Sequence, residues 1–220
     1  MINIMIHTSP TRKWYVTEYL IPSLKAQGIS NIIISSDDNH AGILQSWLKS
    51  TDSLPAEGDT WHLQDDVLIC DNFKDYASSF DAFNGIVCGI CTRYDGDAKD
   101  FYNVPSNDFF KMWFSFPCIR IPNIVARCCA HHVRYGRTDM YDKYKERGTG
   151  DDVCFRKYIR NCIPSIQFIN ANPNLVDHID YLIGGSSSPL KQSTSKPAPS
   201  LYFDAATTEA LKQKLNLHKK

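Results

Sequence analysis

No stretch of the 220-residue chain approaches the ~20 consecutive apolar residues that a membrane-spanning helix requires, so a spanning segment is not expected. Charge of one sign is missing too. Lys+Arg and Asp+Glu number 24 each, and a formal net charge of zero excludes the broad basic field of a non-specific nucleic-acid coat. There is no glycine-rich phosphate loop, and no internal repeat. Cys88-Gly89-Ile90-Cys91 has the spacing of a redox or zinc pair, but no second pair follows at zinc spacing. Cys128-Cys129 beside His131-His132 is the other place where a small metal cluster is conceivable. Buried, reduced thiols are therefore the expectation for the eight cysteines. The opening Met-Ile-Asn-Ile-Met-Ile-His lacks the basic start and small-residue cleavage site of a secretory leader. A cytoplasmic location is expected, in the host cytoplasm if the gene is viral.

What the chain has is a supply of core. Hydrophobic residues make up 43% and charged residues 22%, which argues against intrinsic disorder. Strand and helix signals alternate along the first ~90 residues. Residues 2–7 read as a strand and 14–27 as a helix stopped by Gly28. Residues 29–35, with Ile32-Ile33-Ile34, read as a strand buried on both faces, and 42–49 as a short helix. Residues 60–63 and 85–90 read as further strands. This alternation predicts an α/β fold with a sheet at least partly parallel, whose ligands sit at the carboxyl ends of the strands. The loops 8–12, 37–40 and 64–66 would all lie there. The second half is less regular: an aromatic-rich stretch at 109–123, helices at 124–133 and 151–161, and a strand at 166–169. Residues 187–203 read as a linker and 204–220 as a short C-terminal helix or tail.

Three polar constellations stand out. Trp61-His62-Leu63-Gln64-Asp65-Asp66-Val67-Leu68-Ile69 sets two carboxylates between apolar runs. Burying adjacent charges is costly unless a cation neutralises them, and hard oxygen ligands suit Mg²⁺ or Mn²⁺; a solvated turn is the alternative. Asp151-Asp152, after Gly150, opens a helix, where an Asp is most often a cap but can also be a general base. Pro173-Asn174-Leu175-Val176-Asp177-His178 carries an imidazole that is either a metal ligand or a packing residue.

In order along the chain, these segments resemble the A-type-fold (GT-A) glycosyltransferases. Leu63-Gln64-Asp65-Asp66-Val67 looks like a variant of their Asp-x-Asp motif, with Gln64 in place of the usual acidic first residue. The Pro-Asn-Leu-Val-Asp-His segment resembles a closing motif of several such enzymes. The set as a whole is similar to small virus-encoded glycosyltransferases, some of which decorate modified bases in DNA. The resemblance covers about residues 1–186. It implies a Rossmann-like sandwich with a mostly parallel central sheet flanked by helices, a nucleotide-sugar-binding half (1–90) and an acceptor-binding half (91–186). It also implies roles. Asp66 and His178 would hold a divalent metal, Mn²⁺ or Mg²⁺. Thr8, Ser9, Pro10, Arg12, Asp37, Asp38, Gln64 and Asp65 would contact the donor, a UDP-sugar for preference. Asp152, or failing that Asp151, would deprotonate the acceptor hydroxyl in an inverting enzyme.

For the acceptor, Trp113 and Phe116 are candidates for stacking on a base or sugar, with Arg120 beside them. The span 134–160 holds eight basic and five acidic residues, a local positive patch able to hold phosphates. A hydroxymethylated pyrimidine flipped out of DNA is the favoured acceptor on these grounds. A saccharide or protein hydroxyl is the alternative, as is, from another class, a metal-dependent nuclease or phosphoryl-transfer enzyme using the same acidic pairs.

Overall fold

A computed structural model describes residues 1–89, 116–136, 139–147, 150–171, 175–179 and 183. Trp113, Cys91, the linker 187–203 and the tail 204–220 lie outside the described residues. Six strands form one sheet: β1 (Asn3–Thr8), β2 (Asn31–Ser36), β3 (Asp59–Gln64), β5 (Ile86–Cys88), β6 (Cys118–Pro122) and β7 (Phe168–Asn170). A two-stranded ribbon pairs β4 (Val67–Ile69) with β8 (Val176–His178). The large sheet runs β2-β1-β3-β6-β5-β7. Its pairs are parallel except where β6 lies antiparallel between β3 and β5. This is the α/β fold with a partly parallel sheet that the strand–helix alternation predicts, and the mostly parallel sandwich that the resemblance implies. One sheet serves both halves of the chain, because β6 inserts between strands of the first half.

The helices cover both faces. Trp61 meets Phe73 of α4 (Phe73–Ser78) edge-on. One residue further along β3, His62 shares the opposite face with His7 and, through the parallel register, with Ser35. Ser35 Oγ in turn lies 3.1 Å from Ser46 Oγ of α3 (Ile43–Ser50). So α3 and α4 flank the sheet from opposite sides. The α3 side is completed by α5 (Asn123–Tyr135) and α7 (Asp151–Cys162), with Trp47, Phe116 and Phe155 packed at their junction.

The helix expected over 14–27 is one rod in three pieces: α1 (Lys13–Tyr15), a π-helical turn (Val16–Leu20) and α2 (Ile21–Ala26). Pro22 explains the wider turn. Its ring cannot donate a hydrogen bond and crowds the carbonyl four residues back, and one wide turn relieves both faults. Gly28 ends the rod as the sequence predicts. It sits at φ +73°, and Ile29 N donates to Leu24 O (3.1 Å) while Gly28 N donates to Lys25 O (2.9 Å). These are the paired bonds of a Schellman ending.

Several elements differ from the sequence reading. β2, expected to be buried on both faces, is an edge strand paired only with β1; none of its residues is fully buried and Ile34 is 42% exposed. The stretch read as merely aromatic and irregular contains β6, whose Cys118, Ile119, Arg120 and Ile121 are all buried. A central strand covered on both faces shows no polar alternation to reveal it. The ribbon strands β4 and β8 are three residues each, too short for a periodic signal.

Candidate functional site

Parallel register brings the ends of β2, β1 and β3 to one edge, and with them the loops after Thr8, Ser36 and Gln64. The first of these loops is a tight turn. Arg12 N donates to Ser9 O (3.0 Å), with Pro10 at the second position that its fixed φ suits. The turn gives Arg12 and Lys13 opposite directions. Arg12 points to the acidic turn after β3, and Lys13 reaches Asp38 after β2 (3.6 Å).

Asp65 and Asp66 form the turn between β3 and β4, and both are only 6% exposed. Arg12 Nη1, equally buried, donates to Asp65 Oδ1 (3.0 Å) and Asp66 Oδ2 (2.6 Å). Asp65 Oδ2 accepts from Ser9 N (2.9 Å), so both its oxygens are engaged. Asp66 faces the far end of the chain. β8 pairs with β4 so that Val67 lies opposite His178, and Ile179 N donates to Asp66 O (2.7 Å). That ribbon sets His178 Nε2 3.1 Å from Asp66 Oδ2. Two carboxylates, a guanidinium and an imidazole thus converge from the first loop, the third strand and the last one.

Their electrostatics follow from that packing. Burial by itself would raise the Asp66 carboxyl, but His178 and Arg12 outweigh it and hold the group below the usual carboxylate range. Asp65 is pushed up instead, by burial and by the charge of Asp66, against the pull of Arg12 and Ser9. Burial works against the charge on Arg12, yet the two carboxylates raise its pKa.

The residues fit a divalent cation in part. Asp66 Oδ1 is buried without a hydrogen-bond partner, and an Asp66 oxygen lies beside an imidazole nitrogen, both donor types that Mn²⁺ and Mg²⁺ accept. Among the described residues no cluster of three His, Cys, Asp or Glu side chains stands ready to hold a metal. An ion held here would complete its shell with water, the usual habit of Mg²⁺.

On the other flank of the Thr8–Arg12 loop, a cleft of about 380 Å³ opens between β2 and α3, lined by Lys13, Ser35, Ser36, Asp38, Ser46 and Lys49 among others. Its volume is that of a small-ligand pocket. Asp38 is exposed there and accepts from Ser36 Oγ (2.6 Å), which with Lys13 lowers its pKa. Asp37 plays a different part. Its two oxygens accept from Ala41 N (2.8 Å) and Gly42 N (3.0 Å), so it shapes its own loop rather than facing the cleft. Thr8 is buried, its hydroxyl donating to Ser9 O (3.2 Å). Pro10 is exposed, and Gln64 is half-buried.

Asp151 and Asp152 open α7, after Gly150 in the left-handed region (φ +84°), where a side chain would strike Tyr144. Burial, then the charge of Asp152, pushes the Asp151 carboxyl up to about 7. Asp152 is also raised by burial, and Arg156 opposes this from 4.0 Å. No hydrogen bond or ion pair joins this pair to the acidic turn.

The expected acceptor residues need correction. Phe116 is buried against Trp47 and Phe155, and has no open face for a ring to stack on. Arg120 is 2% exposed on β6. Its guanidinium donates to the carbonyls of Phe80, Phe83 and Gly85 and lies 3.6 Å from Asp59. It ties down the loop before β5 and presents nothing to an acceptor. Several charges of the 134–160 patch are also engaged within the fold. Arg134 bridges Asp52 (2.8 and 2.9 Å), Lys157 donates to Met140 O (3.1 Å), and Lys145 reaches Asp142 (3.4 Å).

Three contributors to the site's frame are not evident from the sequence. Tyr15 OH donates to Val67 O (3.0 Å) and so pins the strand leaving the acidic turn. His7 and His62 stack beneath the loops with rings 5.3 Å apart and 6° from parallel, Nε2 to Nδ1 3.0 Å. Burial lowers both, His7 to about 4, so the pair is neutral and joins β1 to β3. Lys49 lines the cleft from α3. Only His62, a polar residue in an apolar run beside the acidic pair, gave any hint of this frame.

The seven cysteines among the described residues are free; five are buried as expected, while Cys128 of α5 and Cys162 of α7 are exposed. Among those residues no helix is long and apolar enough to cross a membrane.

No family model matches the sequence, and no curated protein matches it. Among solved structures, the chain is similar to a Bacillus anthracis protein described as a glucose-1-phosphate thymidylyltransferase, in complex with a sucrose. Identity is 10% and the TM-score 0.47, over 78% of this chain and 87% of that one. It is similar to the galactosyltransferase LgtC in complex with donor and acceptor sugar analogs, at 13% identity and a TM-score of 0.44 over 78% and 73% of the two chains. The inositol-1-phosphate CTP transferase from T. maritima matches at 13% identity and a TM-score of 0.43, over 77% and 84%. At these values the likeness assigns no chemistry, which has to be argued from this chain's own residues.

Proposed function

We propose that the chain is a transferase acting on a nucleotide-activated sugar, and that it moves the sugar to an acceptor hydroxyl. The observation that carries this reading is the convergence of Arg12, Asp65, Asp66 and His178 at the carboxyl edge of β1 and β3, next to the Lys13–Asp38 cleft. Ligands of open α/β sheets gather at that edge. A nucleotide sugar needs a pocket for its nucleoside and positive charge for its diphosphate; the cleft on one flank of the Thr8–Arg12 loop would take the first, and Lys13, Arg12 and a cation held by Asp66 and His178 would supply the second. UDP is the favoured nucleotide.

In the proposed reaction the acceptor oxygen bonds to the anomeric carbon while the bond from that carbon to the diphosphate breaks. The leaving diphosphate gathers negative charge. Arg12 and Lys13 lie at the loop that would face it, and electrostatic stabilisation of such charge is worth several kcal/mol in a site shielded from water. Asp66 and His178 would hold a divalent cation, Mn²⁺ or Mg²⁺, which when bound supplies further charge stabilisation to the departing group. Asp65, with both oxygens engaged, orients Arg12 and the loop. In an inverting enzyme Asp152 takes the acceptor proton. It is the more exposed member of its pair, and its raised pKa makes it a better base than an ordinary carboxylate.

The acceptor class stays broad. For hydroxymethylated DNA, Phe116 and Arg120 are core, several of the 134–160 charges are paired within the fold, and Trp113 lies outside the described residues. DNA therefore enters the test as one acceptor among several. The experiment incubates the full chain with Mn²⁺, a panel of nucleotide sugars, and hydroxymethylcytosine DNA, saccharide or peptide acceptors. Release of nucleoside diphosphate with a mass gain on one acceptor is the expected result. Release of pyrophosphate would reassign the reaction to nucleotidyl transfer. No turnover and no thermal stabilisation by any nucleoside diphosphate would overturn the reading. Asp152→Asn should keep donor binding and lose transfer.

A further inference from the structure

Resting on the transferase reading above, we infer that Arg12 is a resident counter-ion that occupies the cation's place on Asp66 until a divalent ion and a donor diphosphate arrive together. The inference starts from one atom. Asp66 Oδ2 is the oxygen beside His178 Nε2 (3.1 Å), and it is also the oxygen that Arg12 Nη1 holds at 2.6 Å. An ion gripped jointly by that carboxylate oxygen and that imidazole must compete with Arg12 for the same lone pairs. The other oxygen, Oδ1, is buried and has no partner, so the carboxylate is tied on one side only.

Charge makes the exchange workable in both directions. Without an ion, two adjacent buried carboxylates need a neighbouring positive charge, and Arg12 supplies it to both. With an ion bound, a guanidinium beside it is repelled, keeps only Asp65, and gains from a new anion. The loop that carries Arg12 also carries Lys13, which faces the cleft on the other flank, so a diphosphate lying across the loop would offer that anion. The guanidinium is suited to the transfer because its planar fork matches phosphate as well as carboxylate. Cation and diphosphate then help one another to bind, and linkage makes that help reciprocal. A cell's free divalent ions alone would leave the site in its Arg12-closed form.

The test reads Mn²⁺ binding directly, by the electron paramagnetic resonance signal of the free ion at pH 7.5, for the wild type and for Arg12→Gln. Mn²⁺ alone should bind Arg12→Gln at least tenfold more tightly than wild type. Mn²⁺ should also raise the thermal midpoint of the variant more than that of wild type. Adding UDP should tighten Mn²⁺ on wild type by fivefold or more, and by clearly less on Arg12→Gln. An arginine that merely held the turn together would give the opposite first result, weaker Mn²⁺ binding in its absence. If Arg12→Gln does not fold, Arg12→Lys replaces it, with Mn²⁺ affinity expected above that of wild type because a compact, more hydrated point charge on a flexible and shorter stem, without the planar fork, grips the two carboxylates less firmly. Equal Mn²⁺ affinity within twofold, or weaker binding in the variants, overturns the inference. In that case stabilisation of the wild type by UDP in EDTA would leave the transferase reading standing. Absence of binding by both Mn²⁺ and every nucleoside diphosphate would remove both.

Discussion

Of the chain's three aspartate pairs, 37–38, 65–66 and 151–152, the last two are treated by the fold in opposite ways. Asp65 and Asp66 are buried among partners: a guanidinium, an imidazole and a backbone N–H. Asp151 and Asp152 are placed at a helix start, where backbone N–H groups of the first turn and Arg156, 4.0 Å from Asp152, oppose their burial. The first pair holds one carboxyl below its ordinary range, and the second drives one up to about 7. Identical side chains thus sit in surroundings that push their pKa values apart, Asp66 down and Asp151 up. Pairs of acids whose surroundings separate their pKa values are a recurring way of dividing acid–base roles.

The largest way to break the contrast is to remove Asp66. Asp66→Ala leaves Arg12 buried with half its compensation and should cost about 3–5 kcal/mol of stability in urea denaturation at pH 7, with loss of Mn²⁺ binding. Asp151→Asn should act with the opposite sign. A carboxyl whose folded pKa is raised from 3.8 to about 7 makes the native state hold its proton longer than the unfolded chain does. Stability then falls as pH climbs through that window and levels off above it. The asparagine variant should remove this slope and gain as much as ~4 kcal/mol at pH 8, read from denaturation curves at pH 4, 6 and 8. Asp66 gives the mirror image. Its contribution is complete above its ordinary 3.8 and is lost only as the pH falls through its lowered value. Asp65→Asn sharpens the comparison within the first pair. Asp65 pays for its neighbour's charge, so the amide should cost no more than about 1 kcal/mol, a small fraction of the Asp66→Ala loss. The smallest effect belongs to the surface: Arg134→Ala, which breaks the half-exposed bridge to Asp52, should cost about 0.5 kcal/mol and leave Mn²⁺ and UDP binding unchanged.

Much of the frame was legible because periodicity and punctuation reported it. Ile32-Ile33-Ile34 and Gly28 marked a strand and a helix end, and the polar loops after the first three strands fell on one edge as parallel topology requires. Asp66 and His178 were picked by type and order, and the structure brings them together through a ribbon too short to be read in advance. The errors share a cause. Arg120 and Phe116 have the composition of a binding surface, but composition does not report direction. A central strand can hide an arginine when a nearby loop offers carbonyls, as those of Phe80 and Phe83 do. Asp37 was placed beside the donor by its loop, while its oxygens had nearer amides to satisfy. The stacked His7–His62 pair escaped notice because it depends on the pairing of β1 with β3, which a linear pattern does not state.

The ribbon between β4 and β8 has a consequence for the order of assembly. Strands β1 to β3 leave the ribosome early, and with them Arg12, Asp65 and Asp66; the imidazole and the N–H of Ile179 that complete the turn arrive only near the end of the described fold. Contacts of such long sequence separation form late. A nascent chain would therefore carry an arginine-closed acidic turn and no imidazole, and the site would come into being only once translation had passed β8.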